Sequence, residues 1–204
     1  MVYRATKHSV TNRGVPPDSF LDELVAWGSV ADDEIFAPSA GADVYSSVFS
    51  SLGPWQGPSH RRAVMLEVMR VLAGFESEWK WTQGRHEQNP SSHTALTTEA
   101  GAFQVSANSM GFGPELKALV QARAGATDAA TFQQAMKDDH VLAMEYIARL
   151  LRRTVDHNGP VKGHRIDPWL RRDAVDEFMD LLRPASDWVL LGGRYVNVLR
   201  SPAD

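Results

Sequence analysis

The stretch Ser59-His-Arg-Arg-Ala-Val-Met-Leu-Glu-Val-Met-Arg-Val-Leu-Ala-Gly-Phe-Glu-Ser-Glu-Trp-Lys-Trp81 decides how this chain folds. Met65, Val68, Met69, Leu72, Phe75 and Trp79 recur at three- and four-residue intervals, the spacing of a buried stripe on an α-helix. Arg62, Glu67, Arg70 and Glu78 fall largely off the stripe, and Ser59 is a good N-cap. The spacing predicts a long helix from Ser59 to about Trp81 with one face packed inward.

Glu76 breaks the apolar pattern. It follows Leu72 by four residues and precedes Trp79 by three, so the three side chains share a face of the predicted helix. Desolvation there favours the neutral carboxyl and raises its pKa. An acid still protonated near neutral pH is what protonation of a glycosidic oxygen requires. Glu78, two positions on, lies roughly 200° round the helix and belongs with Arg70 and Gly74 on the polar side. The helix pattern alone also leaves a plainer reading open, in which Glu76 turns outward to solvent or caps a neighbour.

Outward from this segment, the chain reads as mainly α. Residues 1–17 form a polar arm ending in Pro16-Pro17, and Asp18-Ser19 caps a short amphipathic helix from Phe20 to Trp27. Residues 28–58 are rich in Gly, Pro, Ser and Ala and suggest an irregular surface wrap. Residues 82–100 are polar, with a turn signal at Asn89-Pro90, and Gly101 to Ser106 alternates like a strand or loop edge. Pro114 opens a helix that Gly125 closes, Thr127 caps the next, and a longer one spans about Asp138 to Val155 before the stop at Asn158-Gly159-Pro160. Asp167-Pro168 starts a further helix that ends before Pro184. The tail from Trp188 to Leu199 reads as a β-hairpin turning at Gly192-Gly193. The division is an N-terminal arm, short helix and wrap over 1–58, then a catalytic domain over 59–204, forming one compact unit.

The bulk numbers set limits. A length of 204 residues suits one domain, and 43% apolar residues suffice for a normal core. A net charge of −4 argues against nucleic acid as partner. The absence of cysteine removes disulfides, thiolate metal sites and a Cys nucleophile. His86, His93, His140, His157 and His164 are scattered without the i, i+4 spacing of a helical zinc site, so no metal or other cofactor is expected and the histidines are expected to face solvent. No apolar run is long enough to span a bilayer, and the N-terminus lacks the apolar core of a secretory signal, so no membrane insertion and synthesis in the cytoplasm are expected. Trp55 and Trp81 are candidate stacking platforms at a cleft rim, whereas Trp79 belongs to the core.

Glu76-Ser77, the tryptophan two residues later, and Gly101-Ala-Phe-Gln-Val-Ser106 together resemble the Glu-Ser and Gly-Leu-Met-Gln motifs of soluble lytic transglycosylases and goose-type lysozymes. Asp139 to Leu151 is similar to the helix of that superfamily that carries an inward tyrosine, here Tyr146, and His157-Asn158-Gly159-Pro160 resembles its Tyr-Asn-Ala-Gly-Pro stretch. The resemblance covers about residues 60–165 and implies a lysozyme-like, transglycosylase-type fold with a minor β element and the C-terminal β-hairpin. It implies that Glu76 is the general acid and that Ser77, Gln104, Ser106, Tyr146 and Asn158 border the substrate. Ala102-Phe103 replaces the usual Leu-Met, His157 replaces a tyrosine, and Ser106 stands where goose-type enzymes place an aspartate. Glu99 is then the best second carboxylate, with a solvated loop acid as its plainer reading, and Glu87 is a weaker candidate.

The function so implied is cleavage of peptidoglycan glycan strands by a muramidase-type glycoside hydrolase, with a lytic transglycosylase or phage endolysin as variants of the same fold. A non-catalytic module binding glycan or a partner protein is the alternative of another class. The expected setting is an antibacterial effector, delivered by a system such as type VI secretion to the periplasm or wall of a target cell and countered by a cognate immunity protein.

Overall fold

The computed structural model describes residues 2–84, 94–156, 159–182 and 188–197. Its helices are α1 (Asp18–Val30), α2 (Val44–Ser47), α3 (Phe49–Leu52), α4 (Pro58–Ser77), α5 (Pro114–Ala124), α6 (Ala129–Asp138), α7 (His140–Arg153), α8 (Gly159–Lys162) and α9 (Arg172–Leu181). Two small antiparallel hairpins complete the fold: β1 (Glu99–Ala100) with β2 (Val105–Ser106), and β3 (Trp188–Leu191) with β4 (Arg194–Asn197). The architecture is thus mainly helical with minor β elements, as the patterning predicts. No helix among the described residues is long and apolar enough to cross a membrane.

Helix α4 is the central element and is buried along almost its whole length, packing against α1 and α9. It starts one residue before the predicted N-cap. Pro58 occupies the first helical turn after Gly57, and no side chain caps it. Proline's fixed φ and missing N–H suit that position. The helix also ends four residues earlier than its apolar spacing predicts. Glu78 and Trp79 both take φ of 59°, and the Glu78 and Trp79 N–H groups bond back to the carbonyls of Gly74 and Ala73 at 3.2 Å each, as at a Schellman-type helix end. Trp79 reaches the core by folding back: its indole N–H donates to the Arg70 carbonyl at 2.8 Å. Its ring covers Gly74, where a Cβ would meet the ring at 2.4 Å.

Glu67 and Arg70 correct the polar-face reading, because both side chains are fully buried. Arg70 donates from Nε and Nη2 to the two Glu67 oxygens at 2.7 and 2.8 Å. Its guanidinium also reaches the carbonyls of His8 and Trp169, and the Arg171 N–H donates to Glu67 Oε1. These bonds explain why the helix expected from Asp167 is interrupted. A 3-10 turn at Asp167–Trp169 gives way to extended backbone, and α9 begins only at Arg172. The polar groups freed at the break satisfy the buried pair.

The flanking segments are tied down by specific bonds. The Glu177 carboxylate on α9 accepts from the N–H groups of Arg4 and Thr6 at 2.7 Å each, and Val10 of the N-terminal arm is buried. The 28–58 segment contains a 3-10 turn at Asp33–Phe36 besides α2 and α3. Arg61 and Arg62 of α4 hold it by donating to the carbonyls of Phe36, Ala37, Gly28 and Ala31. Asp128, not Thr127, caps α6, accepting from the Ala130 and Thr131 N–H groups, while Gly125 closes α5 at φ 81° as expected. The predicted turn at Gly192-Gly193 is present, with φ of 54° and 78°, the backbone a two-residue I′ hairpin needs. The turn signals at Asn89-Pro90 and at Asn158 lie outside the described residues.

Candidate active site

The C-terminal end of α4 meets the β1–β2 hairpin. Ser77, the last helical residue, is buried, and its hydroxyl lies 2.7 Å from the Ala102 carbonyl and 3.1 Å from that of Ala73. It therefore fastens the hairpin turn to the helix end. The turn is tight because Gly101 takes φ of 75° and Gln104 takes φ of 46°. Gly101 also donates its N–H to the Gln83 carbonyl at 2.9 Å. Across the hairpin, Glu99 stands opposite Ser106.

Glu76 sits in the last turn of α4, half-buried. Burial first, and then the negative charge of Glu99, push its carboxyl up to about 7; the positive charges of Arg165 and Arg13 act in the opposite direction. Glu78, past the helix end, is held below the ordinary carboxylate range by hydrogen bonds from Lys80 and Arg13. Two acids separated by a single residue are thus driven apart, one towards the neutral form and one towards the ionised form.

The other expected substrate-bordering residues fall into different places. Ser106 is buried, with its hydroxyl bonded to Asn108 Oδ1 at 2.7 Å. Tyr146 on α7 is fully buried, and its hydroxyl lies 2.6 Å from Ser109 Oγ, which donates to the Ser106 carbonyl at 2.7 Å. Ser77, Ser106 and Tyr146 therefore brace the hairpin from within the protein. Gln104 is also largely buried; its side-chain N–H donates to the Gly101 carbonyl at 2.9 Å, and its Oε1 has no partner among the described residues. Asn158, with His157, His86, His93 and Glu87, lies outside the described residues.

Three residues near the site carried no local signal. Arg13 and Arg165 act on Glu76 from segments far away in sequence. The Arg165 guanidinium lies 5.3 Å from the ring centre of Phe75. Ser109 was equally silent, since only tertiary packing brings it to Tyr146.

Two expectations about aromatic and imidazole groups are corrected. Trp81 is not a rim platform: it stacks on His140 with ring centres 4.0 Å apart and packs against Phe20 and Phe103. His140 is buried and paired with Glu23, not directed to solvent. Trp55 belongs to the opposite end of α4, beside Tyr45 and Phe49. Among the described residues no group of three His, Cys, Asp or Glu side chains is placed to hold a metal ion. Comparison of the chain with family models, with curated proteins and with solved structures returns no match.

Proposed function

We propose that this protein cleaves the glycan strands of peptidoglycan, with Glu76 as general acid on a lysozyme-like, transglycosylase-type domain. The observation that carries this reading is the desolvated Glu76 carboxyl, raised to about 7 at a helix end fastened to the hairpin that bears a second acid, Glu99. A protonated carboxyl can deliver its proton to the glycosidic oxygen as the bond to the anomeric carbon breaks. The oxocarbenium-like centre then needs a nucleophile. Glu99, whose negative charge keeps the Glu76 proton in place, is the candidate base for an attacking water. The product in that case is a reducing sugar.

A lytic transglycosylase is the second reading, and Ser106 favours it. This position holds a hydroxyl already committed to Asn108, so no acid at the end of β2 activates water. If Glu99 does not act, the 6-hydroxyl of the muramyl ring attacks internally and an anhydro-sugar results. Either chemistry acts in the wall or periplasm of a target cell. If the protein is delivered as an antibacterial effector, a cognate immunity protein is its natural inhibitor.

Digestion of purified sacculi by the wild type, Glu76→Gln and Glu99→Gln, followed by mass analysis of the soluble fragments, tests both readings. The wild type is expected to release muropeptides and Glu76→Gln to release at least about a hundredfold less. Loss of activity in Glu99→Gln with reducing-end products from the wild type supports hydrolysis. Anhydro products with Glu99→Gln active support the transglycosylase. Undiminished release by Glu76→Gln rejects the assignment of the acid.

A further inference from the structure

The C-terminal hairpin rests against α1 and α7 through β4. Its strand β3 pairs with β4 alone, so no ladder joins the hairpin to another sheet. Val189, Leu190, Leu191 and Val196 are exposed, and Tyr195 is only partly buried against the core. A two-stranded hairpin with so little apolar burial is marginal by itself. Its position therefore depends on polar attachments, and one of these runs through a buried histidine that the chemistry at Glu76 does not use.

Two attachments meet the N-terminus of α7. The Gly193 carbonyl accepts from the Val141 N–H at 3.2 Å, satisfying a backbone donor that the helix itself cannot pair. Arg194 of β4 reaches both His140 and Glu23: its Nη2 lies 3.5 Å from His140 Nε2, and its Nε lies 3.8 Å from Glu23 Oε1. The His140 ring, 3% exposed, bonds through Nδ1 to Glu23 Oε2 of α1. Its face lies on Trp81, with centres 4.0 Å apart and planes inclined by 14°. Asp139, the residue before it, is committed to Arg123 and to the Leu142 N–H. Arginine carries donors only, so its contact with Nε2 is a hydrogen bond only when Nε2 holds a lone pair. The proton of the neutral ring is then on Nδ1 and is donated to Glu23. Protonation of Nε2 would set two donors face to face and bring a second positive charge against the guanidinium. Glu23 and the Trp81 face, by contrast, suit an imidazolium. These surroundings can hold a charged ring, or Arg194 at Nε2, but not both together.

We propose that His140 is a proton-operated latch for the C-terminal hairpin: the neutral imidazole accepts from Arg194 and holds the hairpin, and a proton taken up at Nε2 displaces the arginine and releases it. Proton and guanidinium compete for one lone pair, so each weakens the binding of the other by the same factor. Release frees the hairpin turn from the N-terminus of α7 and exposes the ring that stacks on Trp81. The Trp81 indole in turn meets Phe103 of the β1–β2 turn at 5.8 Å between centres. The latch uses neither Glu76 nor Glu99, and it stands or falls apart from the glycan-cleavage reading.

NMR of the full chain in the Glu76→Gln background, where that carboxyl cannot titrate, tests the latch. Two signals are followed against pH: the His140 ring, and the exchange protection of the Val141 amide, which reads docking of the hairpin turn directly. With Arg194 in place, Val141 protection is expected to fall about three- to tenfold as His140 takes up its proton. The Arg194 side chain is 55% exposed, so Arg194→Met opens no cavity. In that variant His140 is expected to bind its proton about three- to tenfold more tightly. Val141 protection should then be low throughout, with no step where His140 titrates. Protection that stays constant while His140 titrates overturns the latch. So does a ring that takes up no proton before the protein unfolds, or an Arg194→Met chain in which the proton affinity of His140 is unchanged or the step persists.

Discussion

Glu76 owes its proton to where the helix puts it. Its half-buried place in the last turn of α4 disfavours the charged form, and Glu99 adds like-charge repulsion. Because the folded value of about 7 lies above the ordinary 4.5, the folded protein binds this proton more tightly than the unfolded chain does. The associated stability is fully present below about pH 4.5 and is lost as pH rises through about 7. Glu76→Gln, which cannot ionise, is therefore expected to match the wild type in urea unfolding near pH 4.5. Above pH 7 it should exceed the wild type by up to about 3 kcal/mol. Equal stability of the two proteins at pH 8.5 would show that the carboxyl is solvated. Activity that depends on this acid is expected to decline as pH climbs past about 7. The neighbourhood of Leu72 made Glu76 visible in the sequence. The opposing charges of Arg13 and Arg165 were not visible, because residues 63 positions before and 89 positions after Glu76 meet it only through packing.

At the scale of elements, boundaries turned on backbone conformations that apolar spacing does not encode. Trp79 fits the 3/4 stripe and is buried, yet it gets there through a left-handed turn and a ring folded over Gly74. Periodicity reports which side chains seek the core but not by which backbone path. Turn chemistry was more informative: Gly125 and Gly192-Gly193 marked real ends because positive φ excludes most other residues. The hairpin that carries Glu99 depends on Gly101 for the same reason and for a second one. A Cβ there would sit 2.4 Å from the Met136 carbonyl oxygen of α6. Gly101→Ala is expected to lower stability by about 2–3 kcal/mol, read as a lower urea midpoint at unchanged m-value. A midpoint within error of the wild type would mean that the β1–β2 turn shifts freely. It would then be too loosely held to position Glu99.

For the whole molecule, the buried Glu67–Arg70 pair is the junction where the N-terminal arm, α4 and the break before α9 converge. Arg70→Met leaves the Glu67 carboxylate without its partner in the interior, so a loss of about 3–5 kcal/mol is expected in chemical denaturation. The double replacement Glu67→Met with Arg70→Leu should recover most of it, since removing both charges removes the desolvation cost. A mild effect of the single variant and a severe one of the double would contradict the role of the pair. By itself, the amino-acid sequence determined the helical class, the dominance of the 59–81 segment, the terminal hairpin and the anomaly of an acid on an apolar face. Each of these follows from local periodicity or from the few residues that tolerate unusual φ. Only the tertiary structure decided that Ser77 and Ser106 point inward, that the Tyr146 hydroxyl meets Ser109, that Trp81 stacks on His140, and that Glu67 and Arg70 share the interior. Those outcomes rest on contacts between residues distant in the chain, and a side chain's burial or ionisation is set by all the neighbours that packing delivers, whatever their place in the sequence.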